Sequence, residues 1–265
     1  MAQNEAPASG VKARLAGKVA LISGGAGGCG EAASRLFAEE GAKVVIVDRQ
    51  GAAARDVADS INKSGGTALG VEADVSDKKA VDAAVARALA AYGTIDVLFN
   101  HAGTIIVKPF LETTEDEWDW LMAVNVKSMF LMCKAVLPSM LKAGKGSIIN
   151  TSSISAVTAT PLEVLYCTTK GAVHQLSRAL AVEYRDQGIR VNAVCPGFIR
   201  TAHGMREVTE LSAQGIDASE AAMKAMQGRM CEPIEVAQAA LFLASDESSF
   251  VNGSHIFVDN TFTAI

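Results

Sequence analysis

The chain has 265 residues, 49% of them apolar and 20% charged, a composition that excludes a disordered tail, a collagen-like repeat and a disulfide-rich miniprotein. Lys and Arg total 24 against 29 Asp and Glu, a net charge of −5, so the basic footprint that nucleic acid or an anionic membrane surface requires is missing. Length alone leaves one large domain or two small ones open.

The first fourteen residues, small and polar at their start, predict a flexible N-terminal segment that is neither signal peptide nor anchor. From residue 15 to 265 short apolar, β-branched runs alternate with longer stretches of helical apolar spacing. The predicted strands are Val19–Ser23, Val44–Asp48, Ala68–Glu72, Val97–Asn100, Ser147–Thr151, Val191–Cys195 and His255–Val258, and the predicted helices include Glu31–Glu40, Lys79–Ala91, Trp118–Leu141 and Val164–Arg185. Such alternation implies an α/β fold with a doubly wound parallel sheet of about seven strands, helices on both faces, in a single domain. Thr201 to Gln227 breaks the rhythm: it carries no strand, contains Met205, Met223 and Met226, and predicts a lid over a binding site with an apolar thioether wall. No window reaches the ~18 apolar residues of a membrane span. The five cysteines are scattered singly, which predicts reduced thiols, a cytoplasmic protein and no metal site.

The chemistry starts at Ser23-Gly24-Gly25-Ala26-Gly27-Gly28-Cys29-Gly30, between the first strand and the first helix. Glycines there let the backbone approach a pyrophosphate, whose charge the N–H groups of the helix start can hold. The run fits two templates: Gly25, Gly27 and Gly30 match G-x-G-x-x-G, whereas Gly24, Gly28 and Gly30 match T-G-x-x-x-G-x-G with Ser23 for Thr. Asp48 closes the second strand, where a carboxylate accepts from ribose hydroxyls and repels a 2′-phosphate, so NAD is expected over NADP. Arg49 is the one dissenting residue. Farther on, Tyr166 and Lys170 lie four apart near a helix start, a phenol beside an ammonium that can favour its ionised form, while Ser152 and Ser153 end the preceding strand with free hydroxyls.

These motifs, with Asn100-His101-Ala102-Gly103, Val124-Asn125-Val126, Pro196-Gly197-Phe198-Ile199-Arg200-Thr201 and Arg229-Met230-Cys231-Glu232-Pro233, make the chain resemble the classical short-chain dehydrogenase/reductases from about Leu15 to Asp259. The resemblance implies a Rossmann-type fold and an oxidoreductase interconverting a secondary alcohol and a ketone. It implies Tyr166 as general acid/base, Lys170 lowering its pKa and binding the nicotinamide ribose, Ser153 holding the substrate oxygen, and Asn125 positioning a relay water. Cofactor contacts would come from the glycine turn, with Cys29 offering its backbone, from Asp74 and Val75 at the adenine edge, and from Asn100, Ala102 and Gly103 beside the ribose. Pro196, Gly197, Ile199 and Thr201 would complete them near the carboxamide. It also implies a homotetramer built on a four-helix bundle. Two departures stand out: Gly28-Cys29-Gly30 for Gly-Ile-Gly, and Val258-Asp259-Asn260-Thr261 for V-D-G-G. Competing readings are a 3-oxoacyl-thioester reductase, against which Asp48 argues, and a non-catalytic NAD(H)-binding sensor or scaffold.

Overall fold

The computed structural model describes residues 13–264. Most of the expected N-terminal segment, residues 1–12, lies outside the described residues; Arg14, at its end, pairs with Glu247, and Leu15 is buried.

Seven strands form one parallel sheet in the order β3-β2-β1-β4-β5-β6-β7. They are β1 (Val19–Ser23), β2 (Lys43–Asp48), β3 (Thr67–Glu72), β4 (Val97–Asn100), β5 (Gly146–Thr151), β6 (Ile189–Pro196) and β7 (His255–Val258). The central strands read as unbroken apolar runs because helices cover both faces of the sheet. One core packs α1 (Gly28–Glu39), α2 (Gly51–Lys63) and α9 (Pro233–Ala244) on one side, and a second packs α3 (Lys78–Tyr92) and α5 (Ser128–Ala143) on the other. The order of winding reverses between β1 and β4, and a crevice opens at their carboxyl ends.

Local signals set the helix starts. Asp77 accepts from the Lys79 amide ahead of α3, Thr114 and Glu117 form a capping box on α4 (Glu115–Met122), and Glu232 and Glu235 do the same on α9, with Pro233 at its first position. A single π-helical turn, Ala123–Lys127, joins α4 to α5. The resulting 29-residue run, Glu115–Ala143, has a window of mean hydropathy 1.4, so by length and composition it could cross a membrane, contrary to the sequence reading. Half of that window is buried inside the protein, and its buried Asn125 bonds to the backbone of Thr104, as in a core helix of a globular domain.

The stretch after β6 forms two helices, α7 (Ala202–Ala213) and α8 (Glu220–Gln227). Thr201 caps α7 by accepting from the Gly204 amide, and Ser219 caps α8 by accepting from the Ala222 amide. Both helices pack on a small apolar cluster around Ile154, Phe198, Leu211 and Met223. The remaining long helix, α6 (Val164–Tyr184), lies against β6 and carries the Tyr166–Lys170 segment.

Candidate active site

A cleft of about 520 Å³ runs along the carboxyl ends of the strands, from Asp48 and Asp74 at one end to Tyr166 and Glu207 at the other. The glycine turn forms its floor. Positive φ angles fall at Gly24 (+66°) and Gly28 (+51°), while a Cβ on Gly30 would sit 1.9 Å from the Gly24 carbonyl oxygen. Gly25 and Gly27 adopt no left-handed backbone, so the geometry matches T-G-x-x-x-G-x-G. Ser23, standing for the Thr, is buried and its hydroxyl accepts from the amides of His101 (3.1 Å) and Ala102 (3.3 Å), tying the turn to the loop after β4. Cys29 lines the cleft, but burial pushes its thiol up to about 12, leaving it unreactive.

Asp48 is held by two amides, Ala26 N to Oδ2 at 3.2 Å and Gln50 N to Oδ1 at 3.0 Å, and lines the cleft beside Arg49. Asp74 accepts from the Ser76 hydroxyl and amide, which hold its carboxyl below the usual range, and Val75 borders the same end. The cradle of glycine backbone with a carboxylate at the second strand's end fits a dinucleotide: the turn would hold the pyrophosphate and Asp48 the adenosine ribose.

At the other end Ser153, Tyr166 and Lys170 open onto one space. Lys170 is buried; its ammonium donates to the Thr151 carbonyl oxygen at 2.9 Å and lies 5.5 Å from the centroid of the Tyr166 ring. Burial brings its pKa down to about 8. Burial also raises the Tyr166 phenol above its ordinary value, with the Glu207 and Glu163 carboxylates adding to the rise, while the Ser153 hydroxyl works the other way. Ser153 accepts from the Ser155 amide at 3.1 Å, which fixes its rotamer toward the cleft. His101 stands where the motif that Asn100-His101-Ala102-Gly103 resembles, N-N-A-G, has its second Asn, its Nδ1 3.1 Å from the Thr151 hydroxyl and its ring tilted against Phe99. Burial lowers its pKa to about 3, so it is neutral at physiological pH.

Ala102, Gly103, Pro196, Gly197, Ile199 and Thr201 line the cleft as the resemblance implied, whereas Gly30, Asn100 and Asn125 do not. Gly30 acts from below, through its close approach to Gly24. Asn100 turns inward, donating to Asn150 at 2.9 Å and to the Cys133 sulfur at 3.4 Å, so it braces the sheet instead of touching the cleft. The Asn125 side chain is spent on the Thr104 amide and carbonyl, both at 2.8 Å, and on the Thr169 hydroxyl at 3.0 Å. Gly103 separates it from Lys170: a Cβ there would lie 3.3 Å from Asn125 Oδ1 and 3.6 Å from Lys170 Nζ.

The methionine wall is corrected. None of Met205, Met223 and Met226 lines the cleft: Met205 is exposed, and Met223 and Met226 belong to the apolar cluster under α8. The phase of α7 instead presents His203, Arg206 and Glu207, and Arg206 reaches across to the Thr104 hydroxyl and the Ile105 carbonyl, both at 3.3 Å. The segment does lie over the site, but its inner surface is polar. Trp120 and Val124 complete the wall, and neither Trp120 nor Trp118 is buried in the core. No sequence reading marked this polar wall: the Thr201 cap seen in the structure sets the helical phase, and phase alone does not reveal which side meets the cleft.

A family model described as enoyl-(acyl carrier protein) reductase matches residues 24–263, nearly all of the chain. The chain belongs to the classical short-chain dehydrogenase/reductase family. Within this family it is 42% identical over 246 residues to 2,5-dichloro-2,5-cyclohexadiene-1,4-diol dehydrogenase LinX of Sphingobium indicum, covering 93% of this chain and 96% of that one. Cyclopentanol dehydrogenase of Comamonas testosteroni is 38% identical over 255 residues, covering 95% and 99%. Among solved structures, levodione reductase superposes with a TM-score of 0.90 at 31% identity, covering 95% of this chain and 99% of that one. As a member of the short-chain dehydrogenase/reductase family, the protein is an oxidoreductase.

Proposed function

We propose that the protein is an NAD-dependent dehydrogenase that interconverts a secondary alcohol and a ketone. The observation that carries this reading is the convergence of Ser153, Tyr166 and Lys170 at one end of a cleft whose other end is Asp48. The names of the relatives, a cyclic diol dehydrogenase and a cyclopentanol dehydrogenase, support a small, cyclic secondary alcohol. When bound, the nicotinamide supplies the carbon that accepts or donates hydride.

The side chains supply the rest. In the oxidation direction Ser153 orients the substrate hydroxyl and the Tyr166 oxygen removes its proton; in reduction the same phenol protonates the forming alkoxide. The dry setting that raises the Tyr166 phenol keeps it protonated at neutral pH, so positive charge at Lys170 and at the oxidised nicotinamide is needed to favour the phenolate. Asp48 favours NAD, since a 2′-phosphate would bring like charge against a carboxylate that two amides hold in place.

The proposal extends to setting and assembly. Five free cysteines, four of them pushed up to about 12 by burial, suit a reducing cytoplasm. The exposed Trp118, Phe130 and Leu141 lie on the α4–α5 run, with Phe110 and Leu111 just before it, and suit the subunit bundle of a homotetramer. The decisive experiment follows nicotinamide absorbance over a panel of cyclic secondary alcohols with NAD or NADP. Turnover with NAD that vanishes in Tyr166→Phe is the expected result; turnover that survives in this variant overturns the mechanism, and a strong NADP preference returns the thioester-reductase reading.

A further inference from the structure

Glu163 stands one position before α6, three residues ahead of Tyr166, and is only 1% exposed. Neither of its carboxylate oxygens has a hydrogen-bond partner among the described residues. Its carboxyl faces that of Glu207, on the first turns of α7, and Glu207 lines the cleft beside Tyr166. Burial raises both carboxyls and the Glu163 charge raises Glu207 further, so that the pair shares a proton that isolated glutamates would lose. The nearby Thr160 hydroxyl tempers the rise at Glu163, and Glu210 adds to it at Glu207.

A buried carboxyl that finds no donor, in contact with a second carboxyl that lines the cleft, is costly for folding, and for catalysis the pair opposes ionisation of Tyr166. The protein's own cations relieve them only in part, through the Arg206 charge near Glu207. Arg206 spends a guanidinium nitrogen on the Thr104 hydroxyl and the Ile105 carbonyl, and its Nε lies 3.7 Å from Glu210; Lys170 is committed to the Thr151 carbonyl. No cation forms an ion pair with Glu207 among the described residues, so its carboxyl in the cleft wall can take a donor carried by the substrate.

We propose that Glu207, backed by Glu163, is a specificity-determining residue that binds a second hydroxyl of the substrate, making the substrate class a diol. A hydroxyl suits the site better than an ammonium. It donates to a carboxylate and accepts from the proton the pair retains, whereas a cation would enter a cleft already holding the Lys170 and Arg206 charges. This inference rests on the alcohol dehydrogenase reading above and deepens it.

The test compares kcat/KM for cyclohexanol with that for the cis and trans cyclohexane-1,2-diols and 1,4-diols, using NAD and the full-length protein. A hydrogen bond to a carboxylate, left unmade by the mono-alcohol, predicts a preference of about tenfold or more for the best diol. In Glu207→Leu the diol-to-monool ratio should fall to about one, mainly through KM for the diol, because the second hydroxyl is remote from the reacting carbon. Glu207→Gln keeps the shape without the charge, and its ratio should fall several-fold, which decides the matter if the leucine variant does not fold. A wild-type ratio near one, a ratio unchanged in both variants, or a stronger preference for aminocyclohexanols overturns the diol assignment while leaving the alcohol dehydrogenase intact. Failure to oxidise any alcohol, with NAD binding retained, overturns the enzymatic reading itself and the diol assignment with it.

Discussion

The ammonium of Lys170 donates to the carbonyl oxygen of Thr151 at 2.9 Å, which anchors the first turns of α6 to the end of β5. That bond holds a buried cation 5.5 Å from the Tyr166 ring, where burial brings its pKa down to about 8. Lys170→Met should reduce kcat/KM by about 10²- to 10⁴-fold, the range of a lost acid–base contribution. The ammonium is charged below its pKa and neutral above it, so wild-type activity should decline as pH rises through about 8. A guanidinium keeps its charge there, and whatever activity Lys170→Arg retains should lack this alkaline limb. Rate profiles from pH 6 to 10 for the two proteins check both expectations.

His101 offers a pH test of stability. Its folded pKa, about 3, is lowered by burial first and by the Lys170 and His203 charges second, whereas an unfolded histidine titrates near 6.5. Between these values the unfolded chain binds the extra proton, so the His101 contribution to stability is lost progressively as pH falls below 6.5. His101→Asn restores the family's residue and removes that proton. The thermal midpoint of wild type should therefore drop more between pH 7 and pH 4.5 than that of His101→Asn, and equal drops would show that His101 is not the buried neutral group described.

The parts of the fold that were legible are those in which one residue type has one meaning. Val44 to Val47 read as strand because a buried parallel strand accepts apolar side chains on both faces, and a parallel sheet with helices on both faces followed from strict alternation. Tyr166 and Lys170 could be paired because helical spacing alone brings them to one face. The Glu163–Glu207 contact had no such local rule: it exists because α7 lies back across the start of α6, a tertiary event no periodicity encodes. The methionines failed for a related reason. Composition marked the insertion as apolar, but the phase of α7 turned Arg206 and Glu207 inward and left Met205 outside.

Asp48 makes cofactor choice testable by charge alone. Its two oxygens are oriented by the Ala26 and Gln50 amides, so the carboxylate has little freedom to withdraw from a 2′-phosphate. Asp48→Ala should lower the NAD-to-NADP ratio of kcat/KM by about 100-fold, since juxtaposed like charges cost several kcal/mol. Most of the change should come from improved use of NADP, helped by the neighbouring Arg49. Titration of both cofactors by tryptophan fluorescence gives an independent measure, and an unchanged ratio would remove Asp48 from the site.

The departure at the C-terminus sets up the last test. Where the family pattern has two glycines, Asn260 and Thr261 adopt φ angles of 45° and 74°, so the turn is kept without the residues that suit it. Asn tolerates this backbone, and here its Nδ2 donates to the Gln227 carbonyl at 2.8 Å, tying the turn to the end of α8. Thr261 is β-branched and exposed, a side chain for which positive φ is a true outlier. Thr261→Gly should relieve strain of about 1–2 kcal/mol and lose part of it to the greater entropy of glycine in the unfolded chain, a net gain of about 1 kcal/mol. For a domain of this size that raises the thermal midpoint by about 2–4 °C. Asn260→Ala, which removes the Gln227 bond and leaves a Cβ at positive φ without compensation, should move the midpoint down, and calorimetry on the two variants should find the opposite signs that the two side chains imply.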